Sequence, residues 1–204
     1  MIYLLIDTCT TNLIISIIKD DKILSQIIKQ NDGNLSTYFT SYVDDLLNDN
    51  SLSIDDIDII FVANGPGSFT GVRIGLTFAK VLAWAKNIKV VPFSSLELLA
   101  STDTNKINIP ILDARRGYVY AGCYDTNLSS LFKDTYISID ELNSKLKDIE
   151  NIQYISCDEF DFAVIKPNYD VLRVVNKHKD DAGVNPHTLN PNYLKRTEAE
   201  EKLG

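Results

Sequence analysis

Twelve consecutive residues, Asn64-Gly65-Pro66-Gly67-Ser68-Phe69-Thr70-Gly71-Val72-Arg73-Ile74-Gly75, join an apolar run to a helical pattern through glycines, a context in which backbone amides could face an anion. The spacing matches neither common phosphate motif. A P-loop needs Gly, four residues, then Gly-Lys-Ser/Thr, but Gly65 and Gly71 are too far apart, Gly67 and Gly71 too close, and Val72 stands where the lysine belongs. The dinucleotide fingerprint fails because three residues, not two, separate Gly67 from Gly71. Ser68 is no nucleophile elbow, since Thr70 replaces the closing glycine. Two readings stay open: a tight turn with Ser68 or Thr70 capping the helix, or anion binding by the loop amides. Asp7 ends the first apolar run and opens a hydroxyl-rich turn, where a carboxylate could hold a hydrated cation or face a phosphate, and Asp113 sits at the analogous place in the second half. Each could equally be an Asx turn accepting its own amides. Asp7, Thr8, Gly67 and Ser68 are thus the weak candidates for a nucleotide contact. His178 and His187 have no register that would converge them on a metal, and Arg115 and Arg116 read as a solvated turn.

The elements that position these residues begin with three β-rich runs, Ile2–Ile6, Leu13–Ile18 and Ile23–Ile28, separated by credible turns. An amphipathic helix follows from Leu35 to Leu47, then a buried strand over 57–63, the glycine loop, a helix to Lys86, a strand at Lys89–Val91 and a capping box at Ser94-x-x-Glu97. The order is βββαβαβα, with a domain boundary placed near residue 103. Beyond it, Ile107–Leu112 and Tyr118–Tyr124 read as hairpin strands, Ser138-x-x-Glu141 opens a short helix, and Gln153–Ser156 and Val171–Val175 read as strands. Residues 177–190 read as loop and 193–203 as a closing helix. The two halves, 1–103 and 104–204, could be distant copies of one motif.

With 20 Lys and Arg against 28 Asp and Glu, the net charge of −8 disfavours autonomous binding to a phosphate backbone. Three cysteines, Cys9, Cys123 and Cys157, form no CxxC pair and suggest neither zinc nor a disulfide framework. No run approaches a membrane span, and Asp7 arrives too early for a signal peptide, so a soluble cytoplasmic protein is expected.

Both N-terminal helices look too apolar for a single core-facing stripe. Leu35, Tyr38, Tyr42 and Leu46 stand among a double column on the first. On the second, Gly71, Gly75, Ala79 and Ala83 recur every four residues beside Phe78 and Leu82, with Arg73 in a thin polar strip. Small residues at that interval allow close helix approach, so the excess face is expected to dock a second subunit, with burial inside the chain as the alternative.

Taken together, Ile6-Asp7-Thr8, the complete Gly65–Gly75 run, Ser94-Ser95-Leu96-Glu97, Asp113-Ala114-Arg115 with Val119-Tyr120, and Pro191-x-Tyr193-Leu194 resemble the bacterial TsaB family. The resemblance implies an α/β fold of two actin-like lobes built on ribonuclease-H-like motifs, the second reduced. It also implies a non-catalytic, dimerising subunit in the synthesis of threonylcarbamoyladenosine on tRNA. Such a subunit pairs with a TsaD-like catalytic subunit through its N-terminal helices, works with a TsaE-like ATPase, forms a homodimer when alone and meets tRNA only through the complex. No cofactor is expected on the lone chain, with ATP or ADP and metal in the partner subunits. In the catalytic paralogue a helix supplies a histidine pair for the metal, whereas residues 34–47 here contain none. The rival readings are a small actin-like phosphotransferase or ATPase using Asp7 and the glycine loop, a peptidase, or a self-sufficient homodimeric scaffold.

Overall fold

Isoleucine- and leucine-rich runs near the N-terminus favour strands, the first two of them buried on both faces and the third, at the edge, largely exposed. In the computed structural model, which describes residues 1–31, 33–102 and 105–195, β1 (Ile2–Asp7), β2 (Asn12–Lys19) and β3 (Lys22–Gln30) form an antiparallel meander. β4 (Ile59–Ala63) adds parallel to β1, and β5 (Lys89–Phe93) parallel to β4, giving the order β3-β2-β1-β4-β5. Helices α1 (Leu35–Asp49) and α2 (Phe69–Lys86) pack on this sheet, their neighbouring Phe39 and Phe78 rings meeting edge to face at 5.0 Å.

The pattern then repeats. β6 (Ile107–Asp113) pairs antiparallel with β7 (Tyr118–Tyr124), β7 with β8 (Ser130–Ser138), and β9 (Ile152–Ile155) joins β6 in parallel, so β8-β7-β6-β9 copies β3-β2-β1-β4. α4 (Ile139–Leu146) takes the place of α1, opened by the expected capping box, in which Glu141 N–H donates to Ser138 Oγ. Between the sheets lies α3 (Ser95–Ala100), every residue of it buried.

Three expectations change. Val171–Val175 is not a strand but the start of α5 (Val171–His178). Its apolar residues fall at 171, 172, 174 and 175, which is one helical face as well as a short β run, and Asp170 caps it by accepting from Arg173 N–H at 3.2 Å. His178 therefore closes a helix instead of lying in a loop, and residues 186–188 form a 3₁₀ turn. Ser94-x-x-Glu97 is not a capping box: Ser94 caps Leu96 N–H, while the Glu97 side chain turns inward to Lys177 and His178. β8 went unread because polar residues interrupt its alternation. Of the closing helix, residues 193–195 are irregular and the remainder lies outside the described residues, as do the residues at the expected boundary near 103.

From α5 onward the chain runs back along the first sheet. Val184 N–H donates to Val90 O at 2.9 Å, Asn192 N–H to Asn64 O at 2.7 Å, and Lys80 Nζ to Leu189 O at 2.9 Å. Val171, Val174, Val175 and Leu189 accordingly belong to the same core as β1, β4 and β5.

Candidate functional site

The glycine loop receives part of its own chain. A Cβ on Gly67 would lie 2.1 Å from Cys9 O, one on Gly71 2.0 Å from Thr8 O, and one on Gly75 2.5 Å from Thr8 Oγ1. Only hydrogen at these positions lets the turn after β1 press onto the start of α2. Ser68 N–H donates to Cys9 O at 2.7 Å, Thr8 Oγ1 donates to Gly71 O at 2.7 Å, and Ser68 Oγ caps Gly71 N–H at 3.2 Å. Ser95 Oγ ties the loop to α3 by donating to Pro66 O. The capping alternative is therefore observed, and two of the amides that could have cradled a phosphate already have partners.

The paired aspartates are related by the internal repeat. Asp7 Oδ1 accepts from Cys9 N–H at 2.7 Å, and Asp113 Oδ1 from Arg115 N–H at 2.8 Å, so both form Asx turns at the ends of equivalent strands. They differ in burial. Asp113 is exposed, whereas Asp7 is enclosed, and its Oδ2 is the one buried side-chain polar atom without a partner among the described residues. Burial pushes the Asp7 carboxyl up to about 6, against the opposing pull of the Cys9 amide. Asp158, whose Oδ2 accepts from Asp113 N–H at 2.8 Å, is also raised, first by burial.

Between the sheets opens a cleft of about 1270 Å³. One wall carries the hydroxyl-rich turn, Thr10 to Asn12, with Ser68 and Thr70; the other carries Asp113, Arg115, Asp158 and Lys166. Gly67 lines it, while Asp7 and Thr8 sit behind it in the core. Among the described residues no His, Cys, Asp and Glu group could hold a metal ion, and no helix is long and apolar enough to cross a membrane.

The residues expected to dock a partner divide into two sets. Leu35, Leu46, Gly71, Gly75, Ala79 and Ala83 are buried within this chain, so the small-residue column faces the sheet and the Thr8 turn. Tyr38 remains 48% exposed, Arg73 is exposed, and Tyr42, Phe78 and Leu82 are partly covered. Beside them Val81 is 56% and Trp84 68% exposed, the Trp84 ring meeting only the edge of His187 among the described aromatic rings. Trp84 lies on the side of α2 opposite the four-residue column, and no periodic pattern in the sequence marks it.

A second polar cluster lay outside the sequence reading. Buried Glu97 pairs with Lys177 at 2.5 Å and with His178 Nε2 at 3.0 Å, while His178 Nδ1 meets Asp181 at 2.8 Å. Ser94 and Tyr124 both donate to Asp134 alongside. The Glu97 bond holds the His178 imidazole above its ordinary value despite partial burial. Nothing in the local spacing of Glu97 and His178 signals this pairing, which arises only because α3 and α5 pack together.

The family model described as "TsaD: tRNA N6-adenosine threonylcarbamoyltransferase" matches residues 22–179. The Bacillus subtilis tRNA threonylcarbamoyladenosine biosynthesis protein TsaB is 34% identical over 225 aligned positions, covering 99% of this chain and 97% of that protein. The chain belongs to the TsaB family. It is accordingly a tRNA threonylcarbamoyladenosine biosynthesis protein, and the TsaD match places TsaB within a wider related group. Two Pseudomonas aeruginosa structures share the fold: one described by its similarity to peptidase YeaZ (TM-score 0.80, 21% identity, 95% of this chain and 99% of that one), and one described as YeaZ (TM-score 0.77, 19% identity, 95% and 99%). The fold shared with these structures is thus the expected α/β arrangement, built here from two sheets of like topology.

Proposed function

We propose that this chain is the non-catalytic pairing subunit of the assembly that makes threonylcarbamoyladenosine on tRNA, with the outer face of α1 and α2 as the seat of a TsaD-type catalytic subunit. The observation that carries the reading is the exposure of Val81 and Trp84 on α2, with Tyr38 exposed on α1, on helices whose other faces are already packed on the sheet. Large apolar side chains left exposed on a folded surface mark protein interfaces, and aromatic ones are frequent anchors there. A TsaE-type ATPase completes the assembly, and without its partner the chain pairs with a second copy through the same face. Nucleotide and metal chemistry then resides in the partner subunits, and the setting is cytoplasmic.

Two features support the non-catalytic part. Asp7 and Asp113, the carboxylates placed where actin-like phosphotransfer would need them, accept amides in their own turns. The glycine loop, in turn, is filled by Thr8 and Cys9. The test is co-elution with a TsaD-type subunit, using Trp84→Glu and Val81→Glu, both exposed enough to spare the fold. Loss of co-elution with an unchanged melting temperature is expected, and wild-type association by both variants would contradict the pairing face. ATP turnover by the isolated chain would instead favour the phosphotransferase.

A further inference from the structure

At the mouth of the cleft, the hairpin joining β6 to β7 turns through Arg115, Arg116 and Gly117 with φ of 67°, 59° and 77°. Left-handed backbone suits Gly, Asn and Asp; two consecutive arginines there store strain that a Gly or Asn would relieve. Both arginines are exposed, and neither has a carboxylate partner among the described residues. Strain retained at an exposed position points to a use for the side chains outside the fold.

The surroundings suggest which use. Tyr118, whose N–H donates to Arg115 O at 3.2 Å, stacks on Tyr136 with centroids 4.8 Å apart and planes 12° from parallel. Lys195 Nζ lies 5.3 Å from the Tyr136 ring centroid. Two residues earlier, Tyr193 stacks on Phe69 at 4.4 Å and 12°, with the Arg73 guanidinium over both rings. Of these groups Phe69, Arg115 and Lys195 line the cleft itself, so each stack, with its cation, joins the cleft through one of its members or its lysine, in a chain whose net charge is −8. Asp113 and Asp158 reduce the positive field there, but each directs an oxygen onto a backbone amide; Glu159 is the remaining acid of the lining.

We infer that this rim contacts an unpaired segment of RNA, the arginine turn and Lys195 taking phosphates and the exposed rings of Tyr118 and Tyr193 taking bases. Stacking plus a cationic track is how single strands are held without sequence readout, and rings can only receive bases that are already unpaired. The inference rests on the function proposed above, in which tRNA is the substrate, and gives this chain a direct share in holding it. A protein partner is less favoured here, because the large apolar anchors lie elsewhere, on α2.

The test uses the chain assembled with its TsaD-type subunit and a fluorescein-labelled anticodon stem-loop RNA. The double variant Arg115→Glu/Arg116→Glu should leave assembly intact, weaken RNA binding by about tenfold or more, and lower the slope of log affinity against log salt by about 1 to 2. Arg116→Gly should bind RNA less tightly yet melt about 2–4 °C higher, a pairing of effects that a purely structural turn would not give. Unchanged RNA affinity and salt slope would overturn the inference, as would loss of assembly in the double variant, which would make the rim a protein contact. Full competition by free AMP or ATP would overturn it too, pointing to a small-nucleotide site. If no assembly forms with the wild type, the function proposed above fails by itself. Ultraviolet crosslinking of the same RNA to the chain alone at low salt then decides this inference: reduced yield in the double variant sustains it, and equal yield refutes it.

Discussion

Replacing Gly71 by alanine sets helix propensity against packing, and the structure decides the sign. Gly71 is the third residue of α2, after the Ser68 cap, with ordinary helical backbone. Propensity alone would make alanine stabilising by about 1 kcal/mol at most. The new methyl, however, would sit 2.0 Å from Thr8 O, a backbone atom in a turn already fixed by the Cys9 amide on Asp7 and the Cys9 carbonyl on Ser68. Relief requires the turn to move, an overpacking penalty of about 1–3 kcal/mol. Movement also breaks the buried bond from Thr8 Oγ1 to Gly71 O, which costs about 1–3 kcal/mol when a partner is left unsatisfied. The net expectation is a loss of about 2–4 kcal/mol, or a melting temperature roughly 5–15 °C lower for a chain of this size. Urea unfolding followed by circular dichroism measures it. Gly117→Ala is the control: its Cβ meets nothing within 4 Å, so only the left-handed φ of 77° is penalised, by about 1–2 kcal/mol. A Gly71→Ala protein as stable as wild type would refute the claim that the loop glycines exist for close approach.

Asp7→Asn should be more stable than wild type near pH 7.5, by up to about 2–3 kcal/mol. The folded carboxyl is raised to about 6, so the wild type is favoured while Asp7 is protonated and loses that stability as pH rises through 6; the advantage of Asn should therefore vanish towards pH 4. A uniform loss at every pH in denaturant titrations would show this account to be wrong. His178→Gln should be destabilised most at about pH 5.5–6, since the imidazole is held above its ordinary value by Glu97 and contributes fully below about 6.5. That deficit should shrink as pH rises through the folded value, and a deficit growing with pH would reverse the assignment. Tyr38→Glu, on the outer face of α1, should retain the wild-type melting temperature while losing co-elution with a TsaD-type subunit; retained co-elution would remove α1 from the pairing face.

The first sheet was legible because its signals are local. Apolar runs rich in isoleucine and leucine, divided by polar turns, specify β1 to β3, and the change of period after Ser68 marks α2. The capping role of Ser68 and the Asx turn at Asp113 were legible for the same reason, as each side chain meets a backbone group two or three residues away. Failures cluster where long-range contacts decide. Val171–Val175 is short enough to suit either period, and only packing against β5 and α3 makes it helical. Glu97 fits a capping box by spacing, yet Lys177 and His178, eighty and eighty-one residues away, claim it. The glycine–alanine column of α2 promised a partner helix but instead admits a turn of the same chain, because close approach by any backbone demands small residues equally. The surface that did remain apolar, around Trp84, carries no periodic mark of its own.

The return of residues 184–192 beside β5 and the glycine loop makes the two repeats inseparable by a single scission. A fragment stopping near residue 102 would bare the flank of β5 and the greasy surround of α3, inviting edge-to-edge association rather than an autonomous lobe. Tags or reporters inserted in this protein are therefore better kept out of the junction between the halves, and out of the β7–β8 connection too, where Arg173 donates to Thr126 O and Lys177 to Leu128 O.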